Sequence, residues 1–255
     1  MIVNGDDFGR NESANRGVID AFARGLISST TIMANQTGFD EAVELARAHD
    51  LDAHLGVHLV LTEGTPLTDP IRRRSRFCDE DGAFRMWEAG LRPWRFVRED
   101  RDCLVGELRA QVARVRAAGF AVTHVDSHHQ VHNHWGVASC VIVVCDQLEV
   151  PYVRLARNIG PGIGVARSAY KRTFNARLRK SGHARTQWFG VASDWLHETG
   201  TESHRPGHLD VELMTHPQTD PEGRLVDTLS DTELGELLAP IPGVASATSY
   251  SGARR

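Results

Sequence analysis

The stretch MIVNGDDFGRNESANRGVIDAFARGLISSTTIMA, residues 1–34, decides how the chain is read. Residues 2–4 (IVN) form a short apolar segment of the kind that makes a buried strand, and they run into the polar turn Gly5-Asp6-Asp7. Asn11-Glu12-Ser13 is a helix start, after which Ala14, Val18, Ile19, Phe22 and Ala23 recur at helical spacing as far as Gly25. Residues 29–34 (STTIMA) return to the β-branched composition of a strand. Strand, helix and strand in so short a span make a βαβ unit, and a parallel sheet is its consequence.

The alternation continues outward. Helices are expected over 39–48, 101–118 and 137–148, and strands over 54–61, 121–126, 152–155, 187–192 and 209–214. Residues 62–100 break the rhythm with Pro66, Pro70, Pro93, a run of arginines and several aromatics, and read as an insertion. Residues 159–185 are glycine-rich and then strongly basic; a solvated amphipathic helix is the expectation, ahead of a nucleic-acid contact. Ser230, with Glu233 three residues on, has the pattern of a capping box. The fold class is therefore α/β, and a distorted (β/α) barrel fits the length better than an open doubly wound sheet. One domain over 1–255 is expected, carrying its insertion at about 62–100.

Hydrophobic residues make up 41% and charged residues 24%, values ordinary for a globular protein. A formal charge of −4 gives no general attraction to nucleic acid or to an anionic membrane, so neither is expected as a partner. Cys78, Cys103, Cys140 and Cys145 form no CxxC pair, which suits a reducing compartment. The opening residues lack the basic and long apolar segments of a secretory signal, and the apolar run at 137–144 is too short for a bilayer, so a cytoplasmic protein is expected. A homodimer is the base-rate expectation for oligomeric state. Histidine is the outlier: there are thirteen, and five fall between His124 and His134.

Three polar motifs stand at the C-terminal ends of expected strands, where parallel α/β folds build their sites. The first is Asp6-Asp7; adjacent carboxylates repel unless a cation or proton intervenes, although a turn or helix cap is the ordinary use of such residues. The second is His58 in HLGVHLVL (54–61), better placed near its strand end than His54, with a hydrogen-bonded core role as its alternative. The third is THVDSHHQVHNH (123–134), in which imidazoles and a carboxylate share a strand end and loop. Imidazole is costly to bury in numbers, and imidazole with carboxylate is ligand chemistry for zinc and similar divalent ions. A fourth motif, ELMTHP (212–217), ends a strand at His216, which on spacing alone is equally an ordinary loop histidine.

Taken in order, NGDDFG (4–9), SSTTIMAN (28–35), GVHLVLTEGTP (56–66), THVDSHHQVH (123–132) and ELMTHP (212–217) resemble the YdjC-like carbohydrate deacetylases, which include chitooligosaccharide deacetylases. The resemblance covers nearly the whole chain and rests on the combination of motifs. It implies a distorted (β/α) barrel of the polysaccharide-deacetylase-like type. It implies one divalent metal ion, zinc or magnesium, held by Asp7, His58 and His128, with Asp6 as general base and His216 as general acid. The implied reaction is removal of an N-acetyl group from an amino sugar or oligosaccharide, releasing acetate. Two departures stand out: Gln130 replaces a histidine of the usual DSH-x-H-x-H pattern, with His129 one place earlier, and His216-Pro217 continues with Gln218 where glycine is common.

Trp87, Trp94, Trp135, Trp188 and Trp195 are candidates for stacking on sugar rings, with Trp135 foremost, and the 62–100 insertion is expected to cap the pocket. Rival readings are the same hydrolysis on a lipid-linked sugar or natural product, a metal-dependent phosphotransferase, and a non-catalytic metal- or sugar-binding protein. The phosphotransferase would call for carboxylate-dominated magnesium binding and a lysine, whereas histidines dominate here.

Overall fold

The computed structural model of the chain describes residues 1–86, 96–200 and 210–252, with 197–200 described by backbone alone. β1 (Ile2–Phe8), α1 (Glu12–Ala23) and β2 (Ser29–Ile32) form the expected βαβ unit. There follow α2 (Phe39–Ala48), β3 (Leu55–Leu59), α3 (Asp69–Arg72), α4 (Arg98–Ala117), β4 (His124–Ser127) and α5 (Trp135–Gln147). Next are β5 (Tyr152–Val153), α6 (Val165–Lys180), β6 (Trp188–Val191), α7 (Ala192–Gly200) and β7 (Val211–Thr215). The chain then adds β8 (Pro217–Thr219), β9 (Leu225–Asp227), β10 (Thr232–Glu233) and α8 (Leu234–Leu238).

β1 to β7 make one parallel sheet in the order β5-β4-β3-β2-β1-β7-β6. No strand pairing joins β5 to β6, but the residues after β5 lap onto β6. Asn158 N–H donates to the Phe189 carbonyl at 3.0 Å, and its side-chain oxygen accepts from Phe189 N–H at 2.8 Å. The sheet is thus a distorted (β/α) barrel with helices outside, as the alternation predicts. β1 to β4 and β7 are buried at every residue, which is why they read as apolar runs rather than alternating ones.

Helix ends follow local chemistry where the sequence signals are local. Asn11 caps α1, its side-chain oxygen accepting from Ala14 N–H at 3.0 Å, and Gly25 ends it at a φ of 68°. The Ser230–Glu233 pattern is not a capping box. Glu233 makes no side-chain cap bond, and the Ser230 N–H and hydroxyl instead bond Asp227, because the strand-end carboxylate is the better acceptor there. The basic stretch forms α6 with Phe174, Asn175 and Leu178 buried and its arginines largely outward, the expected solvated helix.

The first part of the 62–100 segment is tied down on α4. The buried Glu107 carboxylate accepts from Leu67 N–H (3.0 Å), Thr68 N–H (2.9 Å) and the Thr68 hydroxyl (2.7 Å), while Gln111 brackets Val60 from both its amide atoms. Ile71, Phe77, Cys78 and Phe84 from this segment join the main core. Residues 87–95 of the insertion, with Trp87 and Trp94, lie outside the described residues, as does Leu209 at the start of the late strand. Among the described residues, no helix is long and apolar enough to cross a membrane.

The N-terminal mouth of the barrel is closed by the chain's last described residues. Thr248 N–H donates to the Met1 carbonyl at 2.9 Å, Ser28 Oγ to the Thr248 carbonyl at 3.0 Å, and Ser251 Oγ to the Ala53 carbonyl. Between these ties Tyr250 inserts into the barrel, 2% exposed, stacked on the His124 ring at 3.7 Å.

The antiparallel sheet of β8, β9 and β10 was not expected from the sequence. It leans on α1 at Gly17, where an added Cβ would stand 2.5 Å from the Gln218 Cα and 2.6 Å from its nitrogen. Helix propensity alone predicts that Gly17→Ala stabilises α1 by about 1 kcal/mol. The contact with a neighbouring backbone predicts the opposite sign, a loss of about 1–3 kcal/mol, measurable by urea unfolding.

Candidate metal centre

The strand that carries Asp6 and Asp7 does not end in a simple turn. β1 stays paired past both residues, with Gly5 opposite Thr30 and Phe8 opposite Ile32. Two residues of β1 therefore face one of β2, which is a β-bulge, and Asp7 takes the extra place with a φ of 68°. A left-handed non-glycine residue costs about 1–3 kcal/mol and is most tolerable for Asp and Asn. The bulge re-aims Asp7, so that the two neighbouring carboxylates serve different partners.

Asp7 is the focus of one group. Its Oδ1 lies 3.2 Å from His58 Nε2 and 3.1 Å from His128 Nδ1. These three residues are buried and can offer ligand atoms that all lie within 4.8 Å of one another. The far nitrogen of His58, Nδ1, contacts Asp126 Oδ1 at 2.7 Å, the carboxylate–imidazole arrangement that fixes a ligand's tautomer. Burial would lower the His58 pKa, but the charge and hydrogen bond of Asp126, helped by Asp7 and Asp6, raise it to about 10. Burial would likewise raise Asp7, and the bonds from His128 and His58 hold it well below the usual carboxylate range. The pocket's field thus favours positive charge at this spot, and one carboxylate with two imidazoles is a donor set that suits a divalent ion with open positions. The buried Nε2 of His58, which completes no hydrogen bond of good geometry, fits the same use.

Asp6 faces the other way, into a charge network that the sequence did not announce. The Arg154 guanidinium, 1% exposed, holds Asp6 through both oxygens (2.6 and 2.7 Å), Asp126 Oδ2 at 2.6 Å and Glu212 Oε1 at 2.6 Å. Asn4 Nδ2 also donates to Asp6 at 2.8 Å, and the Tyr250 hydroxyl donates to Glu212. Burial pushes the Asp6 carboxyl up, and the Arg154 charge and hydrogen bonds outweigh it, lowering the pKa to about 2. Arg154 had one available signal: a lone arginine in the apolar strand YVRLA must find carboxylates, and Asp126 and Glu212 are carboxylates in other apolar strands.

The five-histidine cluster divides. His128 joins the Asp7 group. His124 bonds the Thr123 hydroxyl at 2.9 Å beneath the site, His132 bonds Ser127 Oγ at 2.6 Å, and His129 bonds Thr62 Oγ1 at 2.9 Å. Burial lowers His132 to about 3, so it is neutral. His134 stands at the N-cap position of α5 without a side-chain cap bond. The density of histidine that drew attention to this segment is therefore largely packing. His129 and Gln130 are both left-handed (φ 52°), and Gln130 turns to accept from Asn133 at 3.1 Å, so its replacement of a histidine leaves the Asp7 group untouched.

His216 follows β7, with its backbone N–H on Asp227 Oδ1 at 2.6 Å and its Nδ1 free of hydrogen bonds, 3.9 Å from the same oxygen. It is near enough to Asp6 for its charge to act there. Trp135 has the Arg177 guanidinium 4.8 Å from its ring centre and Tyr170 edge-on, so part of its aromatic surface is already engaged. Trp195 is buried in the core.

Comparison with known proteins gives a consistent picture. A "carbohydrate deacetylase" of Brevibacillus brevis is 37% identical over 151 residues, 59% of this chain and 57% of that protein. One from Geobacillus stearothermophilus is 38% identical over 159 residues, 61% of this chain and 60% of that protein. The match thus spans under two thirds of the length of these relatives. A further carbohydrate deacetylase, from Listeria welshimeri, is 36% identical over 220 residues, 85% of this chain and 80% of that protein. Among solved structures, a candidate cellobiose-phosphate cleavage protein of Enterococcus faecalis V583 superposes with a TM-score of 0.69 over 98% of this chain and 96% of its own, at 21% identity, which bears on the fold alone. The model of the YdjC-like protein family matches residues 1–240, from the strand that carries Asp6 and Asp7 to beyond His216, and the chain belongs to that family.

Proposed function

We propose that this chain is a metal-dependent amide hydrolase that removes an N-acetyl group from an amino sugar or oligosaccharide. The observation that carries the reading is the convergence of two imidazoles on Asp7 Oδ1, one of them backed by Asp126, with a second carboxylate next door on the same bulge. The names of the relatives support a carbohydrate as the substrate class.

Asp7, His58 and His128 would hold a divalent ion, zinc or magnesium, whose chemistry when bound is to make water more acidic and to polarise the acetyl carbonyl. Asp6 takes the proton of the attacking water. Arg154 and Asn4 keep its carboxylate ionised and fixed in direction, at some expense of basicity. Water adds to the carbonyl carbon, the C–N bond breaks, and His216 as imidazolium gives its proton to the departing nitrogen, leaving acetate and a free amine. Asp227 orients His216 through the backbone and lies beside its ring. We read the whole chain as one deacetylase-like domain, with the 62–100 segment as the cap that helps select the substrate.

The test is acetate release from N-acetylated sugars, from the monomer to chitooligosaccharides, by metal-stripped protein with zinc or magnesium restored. Acetate is expected only with metal present, and Asp6→Asn should reduce kcat by about 10²–10⁴-fold while binding the ion normally. No acetate from any sugar by protein that binds the ion stoichiometrically would overturn the substrate assignment. A second expectation separates the roles. Asp7→Asn should abolish tight zinc binding in calorimetry, whereas His216→Ala should bind zinc as the parent does and lose about 10²-fold or more in kcat.

A further inference from the structure

Two groups close a ring around Asp7 that the proposed chemistry leaves idle. Glu63, on the turn after β3, has its Oε2 3.5 Å from His128 Nε2 and 3.3 Å from Arg10 NH2. Arg10 NH1 in turn reaches Asp7 Oδ2 at 3.3 Å, and His128 Nδ1 returns to Asp7 Oδ1 at 3.1 Å. Asp7, Arg10, Glu63 and His128 thus form a closed circuit of polar contacts.

The circuit gives His128 a looser counterpart of what Asp126 gives His58, a carboxylate oxygen at 3.5 Å in place of one at 2.7 Å. His58 turns Nε2 to Asp7 and Nδ1 to Asp126; His128 turns Nδ1 to Asp7 and Nε2 to Glu63. Each imidazole shows one nitrogen to a shared point and the other to a carboxylate. We propose that Glu63 is the positioning carboxylate of His128, the counterpart of Asp126, and that Arg10 holds Glu63 and Asp7 in register. This rests on the reading of Asp7, His58 and His128 as the metal holders.

The backbone that presents Glu63 is well fixed. Its carbonyl accepts from Asn35 Nδ2 at 3.3 Å and Gln36 Nε2 at 3.5 Å. Thr62 is bonded to His129, and Leu67 and Thr68 to Glu107. Gly64 follows with a φ of 72°, in a place where a Cβ would stand 2.6 Å from Gln36 Nε2. A carboxylate on so constrained a turn is delivered to one place. Its side chain is 28% exposed where that of Asp126 is 0% exposed, so solvent screens it and its effect should be the smaller of the two.

The test is zinc affinity of the full chain by competition with a chromogenic chelator, with the thermal midpoint of the metal-free protein measured beside it. Loss of a carboxylate behind a ligand histidine weakens metal binding by about 10–100-fold. Glu63→Ala is expected near the lower limit, and Glu63→Gln between it and the parent because its amide oxygen still accepts. Asp126→Asn should weaken binding more than either. Metal-free midpoints should match the parent for both Glu63 variants, and the visible spectrum of the cobalt-loaded protein should change in Glu63→Ala. Parent-like zinc affinity and an unchanged cobalt spectrum in Glu63→Ala would overturn the assignment of Glu63 alone. A parent chain that binds neither ion would overturn the metal reading itself, and Glu63 with it.

Discussion

Taking a guanidinium out of water costs several kcal/mol unless its charge and donors are met in place. Arg154 is met by Asp6, Asp126 and Glu212, one each from β1, β4 and β7. In the sheet order β4 and β7 stand four spacings apart, roughly 19 Å if the sheet were flat. One side chain cannot touch both across that span. The charge balance and the curl of the sheet are thus one requirement, and the curl is what brings the ends of β1, β3, β4 and β7 to a common pocket. One guanidinium also leaves carboxylate in excess: Asp7 adds to the three around Arg154, and the surplus lies beside His58.

The bulge in β1 distributes that surplus. In a regular strand Asp6 and Asp7 would point to opposite faces, and one would leave the pocket. The extra residue turns Asp7 toward the histidines while Asp6 keeps its place against Arg154. Two carboxylates separated by one peptide bond then have distinct electrostatic settings. One is fixed by a guanidinium, and the other is crowded by imidazoles in a field that calls for a cation. A hydrolytic site needs these two settings side by side, a base that stays ionised and a ligand that stays bound.

What the sequence made legible was what local pattern controls. The βαβ rhythm, the ends of α1 and the buried strands followed from spacing and from Asn11 and Gly25. The Asp7, His58 and His128 grouping was reached through motif resemblance, and the geometry brings those three together. The pieces missed were non-local. Arg154 looks like a stray charge until β1 and β7 arrive on either side of it, and Glu63 looks like a loop acid until β3 places it over His128. Two local patterns misled for the opposite reason. Ser230 and Glu233 have capping-box spacing, but Asp227 competes for the serine. Five clustered histidines suggest metal ligation there, but three of them bond the hydroxyls of Thr123, Ser127 and Thr62.

The plug formed by Tyr250 bears on how the chain matures during translation. β1 is synthesised before the other strands of the sheet and pairs on one side with β2, but its other neighbour is β7, and the final donor to Glu212 is at position 250. At ordinary elongation rates the interval between positions 6 and 250 is roughly 10–50 s. Until β7 is made, β1 keeps one open edge, and Arg154 lacks its Glu212 partner over the stretch from 154 to 212. β1, made before the other strands of this sheet, is therefore among the last of them to be finished. Closure of the barrel from below thus waits for the residues around Tyr250, after every strand of the sheet has been made.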